Sequence, residues 1–419
     1  MLSAFTRPAA LGLALATLFG LAATALADEP FYKGKRLTVL INFAAGGPTD
    51  IEGRLFAKYL VKHIDGQPGV IVQNMDGAGG LIGAQYLAEI APRDGTVLGY
   101  LSGSAWLYVS DPGRWRVDFR KYEFVAYQPG TTVHFMRTDV PPGMHQPADI
   151  AKAQGLIAGG LSADTSKDLR LRLALDMLGV PYTYVTGYRS SPPARLALQR
   201  GEISMFSESP PSYRSVIEPS LVKTGQAMPV FYDEVAEPPP PQKQLEGLSI
   251  PSFPQLYRRI KGTLPSGQLW EAYRVLYDMN STLQRMIALA PDVPPAALEA
   301  LRAGIEALDN DREFAAEALK VIEFVPDYPT ASDMSQKVRA LMVASPQMRD
   351  FIGLAGGNLG LQAGEEARPL FGCGHTRRSS KAVHRRMKRQ SMTATTARPC
   401  CIGPTPPVGF RAAVGSIRP

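Results

Sequence analysis

The chain has 419 residues, with 45 Lys and Arg against 38 Asp and Glu and 45% hydrophobic residues, enough for two domains and a sizeable core. Its net charge of +7 sits at one end: 11 basic residues lie at Arg368 or later, where no acid occurs, and Arg7 is another, leaving 33 basic against 38 acidic residues between. That acidic body gives no electrostatic footprint for nucleic acid, and with Cys373, Cys400 and Cys401 all in the basic end it carries neither a disulfide framework nor a thiolate metal site.

Arg7 precedes an uncharged run, Pro8 to Ala27, that closes on Ala25-Leu26-Ala27. This is the layout of a secretory signal cut before Asp28, so residues 1–27 are expected to be removed and the protein to be periplasmic. A retained anchor is the alternative, since about 20 apolar residues can span a bilayer. No cysteine lies at the cut to carry a lipid.

From Arg36 to Gly83 one phrase occurs twice. Leu37 to Phe43 is dominated by Leu, Val, Ile and Phe without helical period, as suits a strand buried on both faces. Gly46 and Gly47 break it, Pro48 suits a first helical turn, Thr49 and Glu52 have capping-box spacing, and Asp50 suits the positive end of the dipole. The second copy runs Val70 to Val72, then Asn74, Gly77, Ala78, Gly79 and Gly80, with a helix opening at about Leu81. Two such loops on neighbouring strands open side by side at the carboxyl edge of a sheet, where backbone N–H groups face an anion. Ala45, Gly46, Gly47, Thr49 and Asp50 of the first loop, and Asn74, Gly77, Ala78, Gly79 and Gly80 of the second, are therefore candidate ligand contacts. Neither loop contains Lys or Arg, which disfavours a polyphosphate. A carboxylate is satisfied by N–H groups and the Thr49 hydroxyl alone.

A third strand, Thr96 to Leu101, ends on Ser102-Gly103-Ser104, whose hydroxyls are candidate donors or, equally, turn and cap residues. Trp106, Trp115 and Tyr122 read as packing aromatics. A second α/β unit spans 127–227. Its loop Gly159 to Ser166, with Gly160 and Ser162, follows a strand and precedes a helix. Tyr188 and Arg189 follow the strand Tyr182 to Val185, and Arg189 is either solvated or a bidentate partner for a carboxylate. Ser207, Glu208 and Ser209 sit just past the strand Ile203 to Phe206, with Ser207 the favoured contact. Met228 to Tyr232 is expected to return the chain to the first domain. Pro238 to Pro241 then opens a polar, Gly- and Pro-broken excursion over 237–268. Helices follow from Pro295, Arg312 and Ser332. Asp309-Asn310-Asp311 lacks the glycine and distal glutamate of a calcium loop. After about Gly364 the Arg-rich tail, without an acid from Arg368 on, reads as a disordered extension, with a basic interaction arm as the alternative.

The motifs AAGGPTD (Ala44 to Asp50), N-x-x-G-A-G-G-x-x-G (Asn74 to Gly83) and P-x-D-G (Pro92 to Gly95) resemble the extracytoplasmic receptors of tripartite tricarboxylate transporters, the Bug or TctC-like family. The likeness extends more weakly from Asp28 to about Glu323. It implies a two-domain α/β periplasmic-binding-protein fold, type II-like, with two crossings and a ligand cleft between domains. The expected division is 28–126 and 228–364 for the first domain, 127–227 for the second and 365–419 for the tail. The resemblance further implies that the glycine loops hold a carboxylate of a small organic acid, that the Gly159 to Ser166 loop closes on it, and that membrane permease subunits are the partners. Asp76 departs from the pattern, which commonly has proline there.

Three functions remain in view. The first is a non-enzymatic, monomeric receptor without metal or cofactor, since His63, His134, His145, His375 and His384 lack metal spacing and no nucleophile elbow occurs. The second is a sensory partner of a signalling system that binds the same ligand. The third, a dinucleotide-dependent oxidoreductase, rests on Gly77-Ala78-Gly79 and is weakened by Ile82 standing where G-x-G-x-x-G requires its third glycine.

Overall fold

Leu37, Val39, Leu40 and Ile41 are all buried in β1 (Arg36–Ile41), which lies between β2 (Gly69–Asn74) and β3 (Val97–Ser102) and runs parallel to both. A strand covered on both faces shows no strict alternation, which is why its run is mostly apolar, with Thr38 the polar residue inside it. The computed structural model describes residues 29–330 and 334–343. The expected signal segment 1–27 and the tail 365–419 lie outside the described residues.

The connections within this sheet are α1 (Pro48–His63) and α2 (Leu81–Glu89), with α3 (Ser104–Ser110) leaving β3. Then β4 (Glu123–Gln128) forms the far edge. The chain next builds a second sheet from β5 (Val133–Arg137), β6 (Leu156–Gly159), β7 (Tyr182–Val185), β8 (Met205–Glu208) and β9 (Ala227–Tyr232), in the order β7-β6-β8-β5-β9. Within it β6 runs parallel to β7 and β8, whereas β5 is antiparallel to β8 and β9. Helices α4 (Ser166–Leu178) and α5 (Ser191–Arg200) connect its parallel strands. Last, β10 (Arg285–Leu289) enters the first sheet antiparallel between β3 and β4, giving β2-β1-β3-β10-β4.

Several expectations are corrected. Met228 to Tyr232 does not return the chain to the first sheet: it lies in β9, hydrogen-bonded to β5. Helices α6 (Phe253–Lys261) and α7 (Gln268–Thr282) then pack on α4, so the return comes only at β10. The boundary was misplaced because β9 ends the second sheet on its antiparallel side, and nothing in a short apolar run says which sheet it joins. The excursion over 237–268 is likewise not all surface, since Phe253 and Leu256 of α6 are fully buried. The capping box at Thr49 and Glu52 is absent. The N-cap of α1 is Gly47 without a side-chain cap, and Glu52 is drawn inward to an arginine.

Candidate functional site

The carboxyl ends of β1 and β3 in the first sheet and of β6 and β8 in the second face a common cavity of about 90 Å³. One water needs roughly 10–15 Å³ on that measure, so the space suits several waters or one small organic acid. Phe43, Ala44, Gly47, Pro48, Thr49, Gly79, Ser102 and Leu107 line it from one side, and Leu161, Thr165, Lys167, Ser190, Ser191, Ser207, Glu208 and Ser209 from the other, with Arg285 reaching in from β10.

Each side is shaped by the same device. Asp50, third residue of α1, turns back so that Gly46 N donates to Oδ2 (2.9 Å), while Arg54 Nε and Asn74 Nδ2 donate to Oδ1 (both 2.8 Å). Asn74 also donates to Phe43 O (2.8 Å), joining the two glycine loops. Asp168, third residue of α4, accepts from Leu161 N (2.7 Å), Ser162 N (3.0 Å) and Thr165 Oγ1 (2.8 Å). Asn42 completes the arrangement: its Nδ2 donates to Gly80 O (3.1 Å) and Ser102 O (2.9 Å), and its Oδ1 accepts from Ser102 N (2.9 Å). A side chain at Gly80 would put its Cβ 2.4 Å from Asn42 Nδ2, at a φ of +98° that L residues resist.

The cavity is not free of cationic side chains, contrary to expectation. Arg285 is buried, donates through Nη1 to Ser102 Oγ (3.1 Å) and through Nη2 to Ser209 Oγ (3.0 Å), and stands 3.3 Å from Glu52 Oε2. Gln128 donates to the other Glu52 oxygen. Burial pushes the Glu52 carboxyl up, against the pull of Arg285 and Gln128. Lys167 Nζ donates to Ser207 O (3.0 Å) and lies 4.1 Å from the Phe206 ring centroid. Glu208 is also buried. Arg195 Nε lies 3.1 Å from its Oε1, and the Ser191 and Ser212 hydroxyls also stand beside the carboxylate. Burial pushes this carboxyl up too, with Arg195 and Lys167 pulling it back.

Behind Ser207 runs a buried chain. Ser207 Oγ is 2.7 Å from His134 Nδ1, directly across the β5–β8 pair, and His134 Nε2 is 2.9 Å from Asp233 Oδ1. Asp233 further accepts from Arg170 Nε (2.7 Å) and Tyr273 OH (2.5 Å). Burial alone would raise the Asp233 carboxyl, but Arg170 and His134 hold it well below the usual carboxylate range. The order Ser-His-Asp is that of a hydrolytic triad. Here the Arg170 guanidinium already neutralises the aspartate, so little net negative charge remains to stabilise an imidazolium, and the chain orients the hydroxyl rather than activating it.

Of the residues expected at the site, Gly47, Thr49, Gly79, Ser102 and Ser207 line the cavity. Asp50, Asn74, Ala45, Gly46, Gly77, Ala78 and Gly80 build the loops behind or beside it. Ser104 is buried at the start of α3, with its Oγ 3.4 Å from Asn42 Nδ2. Gly160 lies against Tyr184, and Ser162 turns to Asp164. Tyr188 packs on the second-sheet core, and Arg189 is exposed, 3.9 Å from Asp76 across the mouth. The expectation of free loop amides is corrected in part, because Gly46, Leu161 and Ser162 N–H are taken by Asp50 and Asp168. Arg285, Lys167 and Asn42 were missed. Only Asn42 left a signal, a polar residue closing an apolar strand. Further contacts span the mouth: Arg195 Nη2 donates to Gly46 O, Trp106 Nε1 to Asp164 O (2.7 Å), and Arg114 pairs with Asp164 (2.6 Å). Among the described residues no His, Cys, Asp and Glu cluster fits a metal ion, and no helix is long and apolar enough to cross a membrane.

No family model matches the chain. It is 32% identical over 182 residues to a UPF0065 protein of Agrobacterium vitis, an alignment covering 42% of this chain and 51% of that protein. It is 41% identical over 101 residues to protein BugT of Bordetella pertussis, covering 24% of this chain and 29% of the relative. The chain thus spans about half the length, or less, of these curated relatives. In fold it is similar to the periplasmic binding protein BugD, with a TM-score of 0.57, 17% identity and coverage of 78% of this chain and 99% of the other. It is similar also to R. palustris Rpa4515 solved with adipate, at a TM-score of 0.57 and 17% identity over 76% and 97% of the two chains. In partial sequence and in fold over the body, the chain is thus similar to periplasmic binding proteins of the Bug and TctC-like kind.

Proposed function

We propose that this protein is a solute receptor that encloses a small organic carboxylate in the cavity between its two sheets and hands it to a membrane permease of the tripartite tricarboxylate type. The observation that carries the reading is the lining itself: Arg285 and Lys167 face a small enclosed space together with the hydroxyls of Thr49, Ser102, Ser207 and Ser209. A carboxylate there gains charge-assisted hydrogen bonds, and no reacting group is activated. The adipate bound by the similar Rpa4515 supports the same ligand class. Gly47 and Gly79 bring backbone to the ligand, while Asp50, Asn74 and Asn42 hold the loops. The role is binding rather than catalysis. The expected signal over residues 1–27 would deliver the protein to the periplasm, the compartment named for the similar binding protein BugD. A sensory partner that binds the same acid differs only in its downstream contact.

Thermal-shift screening and titration calorimetry with mono-, di- and tricarboxylates of three to six carbons test the reading. At least one acid is expected to raise Tm and bind at a single site. Stabilisation by neutral sugars and by no acid would end it. Co-purification with the small and large permease subunits, rather than with a sensor kinase, separates transport from sensing.

A further inference from the structure

One guanidinium stands between two places for a carboxylate. Arg285 Nε lies 3.3 Å from Glu52 Oε2, and both side chains are buried. On its other side Nη1 and Nη2 donate to the Ser102 and Ser209 hydroxyls, which line the cavity. An acid held against those Nη groups therefore shares its cation with a carboxylate that the protein already keeps there. The other groups facing Glu52 are not cations. Gln128 of β4 is neutral, and Tyr100 of β3 and Tyr328, with their hydroxyls 3.2 Å apart, are raised by burial well above the usual tyrosine range. On the helix that carries Glu52, Asp50 and Arg54 are paired with each other at the glycine loop.

Two carboxylates flanking one positive charge in a water-excluded interior leave a negative charge unbalanced, and a proton from solvent restores the balance. Glu52 is the group placed to take it. Burial already favours its neutral form, with Arg285 the main pull against that, and an acid that draws on Arg285 weakens this pull. Glu208 is differently placed: Arg195 and Lys167 both oppose its protonation, so it keeps Arg195 when Lys167 turns to an acid. We infer that the cavity takes up its acid together with a proton, and that Glu52 is the proton's site. This rests on the carboxylate-receptor reading and adds a second, smaller ligand to it. Linkage fixes the sign. Glu52 titrates higher with acid bound than without, so affinity is greatest below its pKa in the free protein and is lost as pH rises through its pKa in the complex.

The test uses the full chain and the tightest binder among propionate, succinate, adipate and citrate. Calorimetry from pH 6 to 8.5, in buffers of different ionisation enthalpy, is expected to show uptake of roughly half a proton or more at its maximum, with Kd rising about tenfold across the range. Infrared difference spectra should gain a protonated-carboxyl band on binding, one that does not move when the acid is 13C-labelled. In Glu52→Gln both the uptake and the band are expected to vanish, while binding persists and no longer weakens with pH. Binding without proton uptake in the native chain overturns the inference and leaves the receptor reading standing, whether or not the variant folds. A band that moves with the label places the proton on the acid, and uptake that survives in folded Glu52→Gln places it on another side chain; either result overturns the inference. Binding of none of the four acids overturns the receptor reading and this inference with it.

Discussion

Arg285 Nη2 donates to Ser209 Oγ at 3.0 Å, so a residue of β10 in the first sheet holds the segment that follows β8 in the second. The same guanidinium is the counter-ion of buried Glu52. Replacing Arg285 by Ala removes the partner from a carboxylate that has no access to water. The expected loss is about 3–5 kcal/mol of stability, read by urea unfolding. Adding Glu52→Gln should recover part of it, because a neutral amide costs less to bury than an unpaired charge. Equal losses in the single and double variants would contradict this coupling.

Two aspartates predict opposite pH responses. Asp233 is depressed below its unfolded value of about 3.9, so its contribution is fully present above that value and is lost as pH falls through the folded one. Asp176 is pushed up to about 6, first by burial and against the pull of Tyr182 and Arg172. Its contribution is fully present below about 3.9 and is lost as pH rises through about 6. Asp176→Asn is therefore expected to raise stability at pH 7.5 by about 1–2 kcal/mol, after discounting for its partial exposure, and to change little at pH 3.5. Asp233→Asn should be destabilising at pH 7.5, and its penalty should narrow only at strongly acid pH.

At Gly79 a side chain would place Cβ 3.0 Å from Thr165 Cγ2, at a φ of +65°. Since Gly79 and Thr165 line opposite walls of the cavity, Gly79→Leu should hold the walls apart. The expected result is an affinity loss of more than roughly tenfold, with a strain cost near 1 kcal/mol. Calorimetry beside circular dichroism distinguishes this from unfolding.

Asp76, which departs from the motif pattern, and Arg189 lie 3.9 Å apart, with the Arg189 side chain 78% exposed. A long, solvated pair of this kind is worth about 0–1 kcal/mol. Arg189→Ala should leave stability within about 0.5 kcal/mol and affinity for any carboxylate within roughly twofold. A large loss of affinity would make Arg189 a ligand contact after all.

What could be read from the chain was local. The strand, glycine loop and helix phrase over Arg36 to Gly83 appears as β1, α1, β2 and α2, and Ile41 pairs beside Asn74 so that the loops are neighbours. Tyr182 to Val185 and the helix from Pro295 also fall where their patterns put them. Contacts over long separations were not legible. Arg285 is one arginine in an apolar strand, and its value depends on Glu52 and Ser209, far away in the chain. Lys167 looks like an ordinary first-turn lysine until β8 is laid beside it. The role of Asp50 was misread for a related reason: a carboxylate at a helix start suits a dipole, a cap or a loop brace, and only the position of Gly46 N decides among them.

The paired braces at Asp50 and Asp168 bear on kinetics. Because each loop is tied down by a carboxylate from its own helix, its conformation is settled when the chain folds and not when an acid arrives. Little ordering entropy then falls on the encounter, and related acids should enter at similar rates. Discrimination among them would appear in residence time, and it would be visible in the dissociation phase of a stopped-flow trace.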